Sequence, residues 1–334
     1  MSYRRFDQDD IVVSADSITT PAWTNNVTNL TAFHSESTQA ATNAGKYYYH
    51  IYNSTAAEKE IQFSIAYGNK SGNGSELYDN GISGKGYSST VYGQYRTLIN
   101  GDEDTNFKFS SGSETREPDS VYFLSIQRSR FKEKLLPGTT LLSLGYGSKT
   151  IKLTDNSKDV TTDTFTDAGR VYSLYSGSSA GNVFSTDIEY GKIYPDVGII
   201  ALDATQLASQ SVVAPLLEGS GASTTFTVAN DNKRLLLNSI KVGASFRLRS
   251  DETLSSNFIF VRARNSEFNY STNPSNITGS GELRHNVMID NPQSYLTQVG
   301  LYNDSNDLIA VAKLSTPLLK DFTKEALVRI KLDY

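Results

Sequence analysis

The sequence predicts an all-β protein, and three features of composition and patterning support this class. Much of the chain is Ser, Thr, Asn, Gly and Tyr, with 24 glycines and 20 tyrosines against 2 methionines. This mixture suits short strands joined by polar turns, and it lacks the Ala, Leu, Glu and Lys enrichment of helical proteins. Several segments alternate apolar and polar residues, as strands with one buried face do. With 38% hydrophobic residues, the chain is able to bury a core.

We expect two antiparallel sandwich- or barrel-like lobes with long loops, an extended N-terminal arm and at most one or two short helices. Residues 1–45 form the arm, because residues 14–45 are mostly Ser, Thr, Asn and Ala and bury little by themselves. Residues 46–218 form the first β domain. Residues 219–334 form the second, which begins with a linker at 219–223.

The first domain contains most of the expected strands, and one helix. The strands are residues 46–53, 60–67, 107–109, 120–126, 139–144, 149–154, 170–175, 183–190 and 197–202. The last of these is a continuous apolar run and should be buried on both faces. Residues 87–98 hold aromatic and β-branched residues without a clear period. Residues 205–217 are the best helix candidate, with Asp203 as N-cap and Pro215 near the end.

The second domain is expected to end in a strand with one buried face. Its strands are residues 224–228, 235–242, 258–263, 283–289, 295–302, 308–314 and 326–334, with a hairpin loop at 303–307. In the last strand the apolar residues Val328, Ile330, Leu332 and Tyr334 alternate with charged residues. We expect it to pair with one of the hairpin strands between 295 and 314.

The most specific feature is a basic ladder, formed by Arg128, Arg130, Lys132 and Lys134. An extended chain would place all four cations on one face. A helix over 130–136 would scatter them, but the strand is preferred because residues 122–126 lead straight into it. Like charges on one strand face repel unless they are neutralised.

The ladder therefore has two interpretations. It is either a solvated strand face or an ion network between strands or subunits, with acidic runs such as 102–104. In the second interpretation Arg128 and Arg130 face carboxylates. Arg262 and Arg264 form a shorter ladder on a face shared with Phe260. All six cations are interface candidates.

No motif marks a catalytic, cofactor-binding or metal site, and we expect none of these. The three histidines, His34, His50 and His285, lie far apart in the sequence. Asp102, Asp104 and Asn106 match the first ligands of a calcium loop, but Phe107 and Ser113 replace its glycine and closing glutamate. Nothing marks a carboxylate pair for glycoside hydrolysis. The tyrosines at 47–49 suit a sugar-binding platform but are more typical of a core.

Composition and charge exclude other classes. The chain has 0 cysteines, which excludes disulfides and thiolate metal sites. A net charge of -5 argues against a dedicated nucleic-acid binder. The N-terminus lacks the apolar core of a signal peptide, and no apolar run approaches the ~18 residues of a membrane helix. We expect a protein made in soluble form, without membrane insertion.

Several longer runs together resemble a known class of proteins. They are VYGQYRTLINGDEDTNF (91–107), SVYFLSIQRSRFKEKLLPGTTLLSL (120–144), IYPDVGIIALD (193–203), FIFVRARNSEFNYSTNPS (258–275) and YLTQVGLYNDSNDLIAVAKLSTPLLKDFTKEALVRIKLDY (295–334). These runs resemble virion structural proteins of T-even-like phages, especially those that infect marine cyanobacteria. The resemblance covers most of residues 46–334 and includes no catalytic signature.

The resemblance implies a non-enzymatic structural subunit of the contractile tail, in the baseplate. Such a protein is made in the cytoplasm of the bacterial host and resides in the virion. Its partners are other tail and baseplate proteins, in multiple copies of a symmetric assembly, and not nucleic acid. One alternative is a receptor-binding or fibre-attachment protein that contacts host surface glycans. Another is a tail-associated glycan hydrolase.

Overall fold

The computed structural model describes residues 5–36, 44–78, 85–217, 231–271 and 273–333. Strand makes up 45% and helix 16%, and the sheets are antiparallel, which confirms the all-β class. The described residues contain four α-helices, where at most one or two were expected. The predicted strand at 224–228 lies outside the described residues.

Twenty strands and four α-helices make up the described chain. The strands are β1 (Ile11–Pro21), β2 (Asn29–Leu30), β3 (Tyr48–Tyr52), β4 (Ile61–Asn69), β5 (Phe109–Ser111), β6 (Glu114–Arg116), β7 (Ser120–Ile126), β8 (Lys134–Leu135), β9 (Leu141–Tyr146), β10 (Lys149–Asp155), β11 (Thr164–Thr166), β12 (Gly169–Ser179), β13 (Asn182–Val183), β14 (Gly191–Tyr194), β15 (Ile199–Asp203), β16 (Phe246–Arg247), β17 (Arg249–Ala263), β18 (Ser294–Tyr302), β19 (Leu308–Lys320) and β20 (Ala326–Asp333). The helices are α1 (Tyr87–Asn100), α2 (Ala204–Ser209), α3 (Asn232–Gly243) and α4 (Val287–Asp290).

The chain divides into two compact units. The larger unit is Ile18–Glu252, and the smaller unit combines the described residues up to Ser17 with those from Thr253 onward. This division differs from the predicted boundaries after residues 45 and 218. The reason is that the core of the larger unit takes side chains from the predicted arm and from the predicted second domain.

The larger unit is built on one antiparallel sheet that forms a half-barrel. Its order is β2-β16-β9-β10-β12-β14-β15-β7-β4-β3, and β11 and β13 also pair with β12. The central strands are buried on both faces. In β15, Ile200 and Leu202 belong to one core cluster, whereas Ile199 and Ala201 belong to another. This confirms the burial predicted for the run 197–202 over residues 199–202, whereas Val197 is half-buried in the preceding turn.

Helix α1 covers one face of the sheet, in a segment that the sequence left unassigned. Val91, Tyr95 and Ile99 recur at four-residue spacing and pack in the same cluster as Phe123 of β7. The helix ends at Gly101, whose φ of 75° is left-handed and whose N–H donates to the Thr97 carbonyl oxygen. The helical spacing was hidden because the apolar residues are themselves strand formers.

Helix α3 packs on the other face, and the predicted strand at 235–242 is wrong. The Asp231 carboxylate caps the helix by accepting from the Lys233 N–H at 2.8 Å. Leu236, Leu237 and Ile240 share one helical face and are buried in the same cluster as β9. A short apolar run fits both the helical and the strand period, and here burial against the sheet selects the helix.

Helices α2 and α4 differ from the elements predicted at 205–217 and 283–289. Asp203 caps α2 as predicted, with its side chain accepting from the Gln206 N–H at 2.8 Å. The helix ends at Ser209, well before residue 217, and Ser211 is left-handed with a φ of 55°. The predicted strand at 283–289 is wrong, because Val287–Asp290 is helical and Leu283 forms just an isolated bridge.

One stretch of chain connects the two edges of the half-barrel. Leu30 of β2 pairs with Phe246 of β16 at one edge, and His34 bridges to Tyr52 of β3 at the other. Four residues span at most ~14 Å and a bridged strand lies ~5 Å away, so the edge strands β2 and β3 approach within roughly 19 Å of each other here. Trp23 anchors this stretch, since it is 2% exposed and its Nε1 donates to the Phe246 carbonyl oxygen at 2.7 Å.

The smaller unit contains the sheet β1-β17-β20 and the hairpin β18-β19. Its core is small: Ile259, Leu301 and Ile330 are buried, with half-buried aliphatic side chains around them. β20 alternates between buried and exposed residues, as predicted. Its partner is β17 rather than a hairpin strand, in a register from Ser256–Asp333 to Ala263–Ala326. The hairpin instead contributes Leu301 to the core.

Candidate protein interface

The basic ladder does not form the predicted strand. Arg128–Arg130 is a 3-10 turn, in which the Arg130 N–H donates to the Gln127 carbonyl oxygen at 2.8 Å. Extended structure returns at Lys134–Leu135. The turn places Phe131 in the core of the larger unit, and it separates cations that would repel on one strand face.

Arg130 faces a carboxylate of its own chain. Its Nη1 lies 3.0 Å from Glu60 Oε2 and 2.5 Å from Thr24 Oγ1. The hydrogen bond from Thr24 and the charge of Arg130 both lower the pKa of Glu60. Arg130 therefore connects two segments within the larger unit.

The other three cations have separate environments. Arg128 packs over the Phe131 ring and donates to the Phe131 carbonyl oxygen at 2.7 Å, so its contact is not the expected carboxylate. Lys132 is exposed. Lys134 Nζ lies 3.6 Å from the buried Asp251 carboxylate and 3.5 Å from Glu133. The ladder is thus distributed over different contacts and does not form one surface.

The second ladder belongs to a broader surface of the smaller unit. Arg262 is exposed on the same face of β17 as Phe260, whereas Arg264 follows the end of the strand. Across the strand pair, Arg329 lies opposite Phe260 and Lys331 opposite Phe258. We call Phe258, Phe260, Arg262, Arg329 and Lys331 the cationic face. The alternation in 326–334 predicts that Arg329 and Lys331 are solvated, but their proximity to Arg262 depends on the register between β17 and β20, which the sequence does not specify.

Exposed apolar side chains concentrate in the smaller unit. Of the 24 large hydrophobic side chains exposed in the described residues, 15 belong to the smaller unit. In the same unit three large hydrophobic side chains are buried, namely Ile259, Leu301 and Ile330. The exposed ones are Phe6, Ile11, Val12, Val13, Tyr270, Val287, Ile289, Tyr295, Tyr302, Leu308, Ile309, Val311, Leu318, Phe322 and Leu327. Because exposed large hydrophobic side chains outnumber buried ones, the smaller unit buries little of the apolar surface it carries.

Part of this exposed set forms a contiguous patch on the hairpin. Gly300 of β18 lies opposite Val311 of β19. A Cβ at Gly300 would lie 3.0 Å from the Tyr302 ring and 3.3 Å from Leu308 Cδ1. The Tyr302 ring and a methyl group of Leu308 therefore cover Gly300, on the face of the hairpin opposite Leu301.

The other candidate sites are accounted for by local structure. Asp102 Oδ1 accepts from the backbone N–H groups of Asp104 and Thr105, which is the hydrogen bonding of an acidic turn. These hydrogen bonds lower the pKa of Asp102. His50 Nδ1 lies 2.9 Å from Ser64 Oγ, and burial lowers the pKa of this imidazole. The described part of the chain contains no group of three or more metal-ligating side chains.

Of the tyrosines at 47–49, Tyr48 is exposed, whereas Tyr47 and Tyr49 are packed against neighbouring groups. Tyr49 is buried, and its hydroxyl donates to Asp231 Oδ2 at 2.9 Å. Tyr47 packs edge-on against Tyr87 at 5.0 Å between ring centroids. Within the described residues, no helix is long and apolar enough to cross a membrane.

Comparisons with protein-family models, with curated proteins and with solved structures find no match to this chain.

Proposed function

We propose that this chain is a non-enzymatic structural subunit of a contractile phage tail, in the baseplate, and that it acts through protein–protein contacts. The sequence resemblance to virion structural proteins supplies the class of particle. The observation that carries the proposal is the apolar surface of the smaller unit, where 15 large hydrophobic side chains are exposed.

An exposed apolar surface of this kind is stabilised when a partner covers it. Removing one large apolar side chain from water contributes about 1.5–3 kcal/mol. Monomeric proteins seldom expose contiguous apolar patches beyond a few hundred Å². Neighbouring subunits in a particle supply the missing cover, and the open strand edges of the smaller unit supply sites for pairing.

A density map of the intact particle tests the proposal. The expected result is several copies of this chain in the tail, with other chains covering β18, β19 and the exposed residues of β1. A particle that lacks the chain, or one in which these strands face solvent in every copy, would reject it.

The glycan-binding alternative has one observation in its favour. Phe165 and Phe184 of the larger unit are 66% and 71% exposed, next to or within short strands that pair with β12. A flat aromatic side chain in solvent is able to pack against a sugar ring. Specific binding of the purified protein on a glycan array, lost in Phe165→Ala with Phe184→Ala, would favour this alternative.

A further inference from the structure

β20 is an edge strand with an open side. In the sheet β1-β17-β20, described strands pair with β20 on one side alone. The open side presents backbone N–H and C=O groups that a further strand is able to pair with. An added strand would also meet the side chains of β20 on both faces of the sheet.

The two faces of β20 differ in chemistry. Ile330 is buried in the small core, and Val328 and Leu332 are half-buried beside it. Arg329 and Lys331 lie on the opposite, exposed side, within the cationic face. A strand placed at this edge therefore faces an apolar row on one side and a cationic row on the other.

An aromatic ring holds these cations in position. Arg329 Cζ lies 5.0 Å and Lys331 Nζ 5.8 Å from the centroid of the Phe258 ring. Lys331 also pairs with Asp333 at 3.0 Å. Among the described residues, Arg329 has no carboxylate within ion-pair distance. Because Phe258 is already covered by two cations, it is poorly placed to stack on a nucleobase.

We propose that the edge of β20 binds an extended segment of a neighbouring protein chain in which acidic and apolar residues alternate. Backbone hydrogen bonds to β20 hold the segment. Its acidic side chains pair with Arg329 and Lys331, and its apolar side chains cover Val328 and Leu332. The source of the segment, a neighbouring subunit, rests on the proposed function.

Fluorescence anisotropy with the purified full-length chain tests the inference. The probe is a labelled peptide of repeated Val-Asp units, long enough to cover the eight residues of β20. We expect it to bind, and a matched Val-Lys peptide not to bind. Arg329→Glu combined with Lys331→Glu should raise the Kd at least roughly tenfold, because two exposed charge pairs become repulsive.

Lys313→Glu is the matched control, since Lys313 is an exposed lysine on β19 of the same unit. It should leave the Kd unchanged. Circular dichroism and the melting temperature verify that the double variant is folded. No binding of the Val-Asp peptide, or equal binding of the Val-Lys peptide, would overturn the inference. Tighter binding of an oligothymidylate, lost in the same double variant, would reassign the surface to nucleic acid.

The outcome separates this inference from the proposed function. If the peptide fails to bind but the chain is found in the tail, the inference alone is overturned. If the peptide binds but the chain is absent from the tail, the proposed function is overturned and peptide binding at the edge of β20 still stands.

Discussion

At the residue scale, Arg116 forms an ion pair with a fully buried carboxylate, that of Asp203 in the larger unit. The Asp203 side chain is 1% exposed, and burial raises the pKa of its carboxyl. Arg116 also donates to Gln206 Oε1 at 2.8 Å and to the Glu189 carbonyl oxygen at 2.7 Å. One guanidinium thus satisfies acceptors on two segments of the fold.

We predict that Arg116→Ala lowers the free energy of unfolding by about 3–5 kcal/mol, because it leaves a buried carboxylate without its partner. Arg130→Ala is the matched control. It should cost clearly less, since the Glu60 carboxylate is about half exposed and solvent replaces the lost contact. Urea unfolding of both variants measures the difference. Equal losses would show that burial does not distinguish the two pairs.

Two buried tyrosines give a second comparison. The Tyr122 hydroxyl is buried without a hydrogen-bond partner among the described residues, whereas the Tyr49 hydroxyl donates to Asp231. Tyr122→Phe should therefore leave the free energy of unfolding unchanged or raise it by about 1 kcal/mol. Tyr49→Phe should lower it by about 1–2 kcal/mol. A larger loss of the free energy of unfolding in Tyr122→Phe than in Tyr49→Phe would show that the Tyr122 hydroxyl does have a hydrogen-bond partner.

Buried tyrosines also determine how stability responds to alkaline pH. Burial raises the pKa of Tyr49, Tyr122 and Tyr194, and it raises the pKa of Tyr172 to about 12. Unfolded tyrosine titrates near pH ~10, so the folded state binds more protons above that pH. The free energy of unfolding should consequently fall as the pH rises above ~10.

Urea unfolding across that range, with tyrosinate absorbance recorded alongside, measures this effect. Tyr122→Phe should make the fall less steep, because one raised pKa has been removed. A slope that is the same in wild type and variant would contradict the role of Tyr122.

At the element scale, the packing of β20 depends on the alternation of buried apolar and exposed charged side chains along the strand. Ile330 is buried between β17 and the hairpin core, and Arg329 and Lys331 are exposed. We predict that Ile330→Ala costs about 2–4 kcal/mol of the free energy of unfolding. Arg329→Ser and Lys331→Ser should each cost no more than about 0.5 kcal/mol. Thermal unfolding of the three variants checks this, and an Ile330→Ala protein with an unchanged melting temperature would contradict the packing.

The elements that the sequence predicted well are those whose pattern fits one period. Strict alternation in 326–333 and the continuous apolar run in β15 each favour a strand, and both were confirmed as strands. Helices α1 and α3 were missed because aromatic and aliphatic runs fit a strand as well as a helix. Their Gly101 and Asp231 caps were signals in the sequence that would have located a helix end and a helix start.

At the scale of the whole molecule, the division into units could not be predicted from composition. The segment around Trp23 looks like an arm because it is rich in Ser, Thr and Asn, yet Trp23, Leu30 and Phe33 enter the main core. A few large side chains outweigh many small polar ones. The cationic face was also hidden, since it depends on the register between β17 and β20, which local patterns do not specify.

The absence of cysteine from the chain allows a direct test of the assembly surface. Single cysteines replace Ile309 and Leu327 of the smaller unit, and Phe165 and Phe184 of the larger unit. All four side chains are exposed in the chain alone. The measurement is the rate of thiol modification in the purified protein and in purified particles.

We predict that cysteines at 309 and 327 react readily in the free protein and at least roughly tenfold more slowly in particles, because neighbouring chains cover them. Cysteines at 165 and 184 should react at similar rates in both states. Equal rates at 309 and 327 in the free protein and in the particle would contradict assembly through the smaller unit.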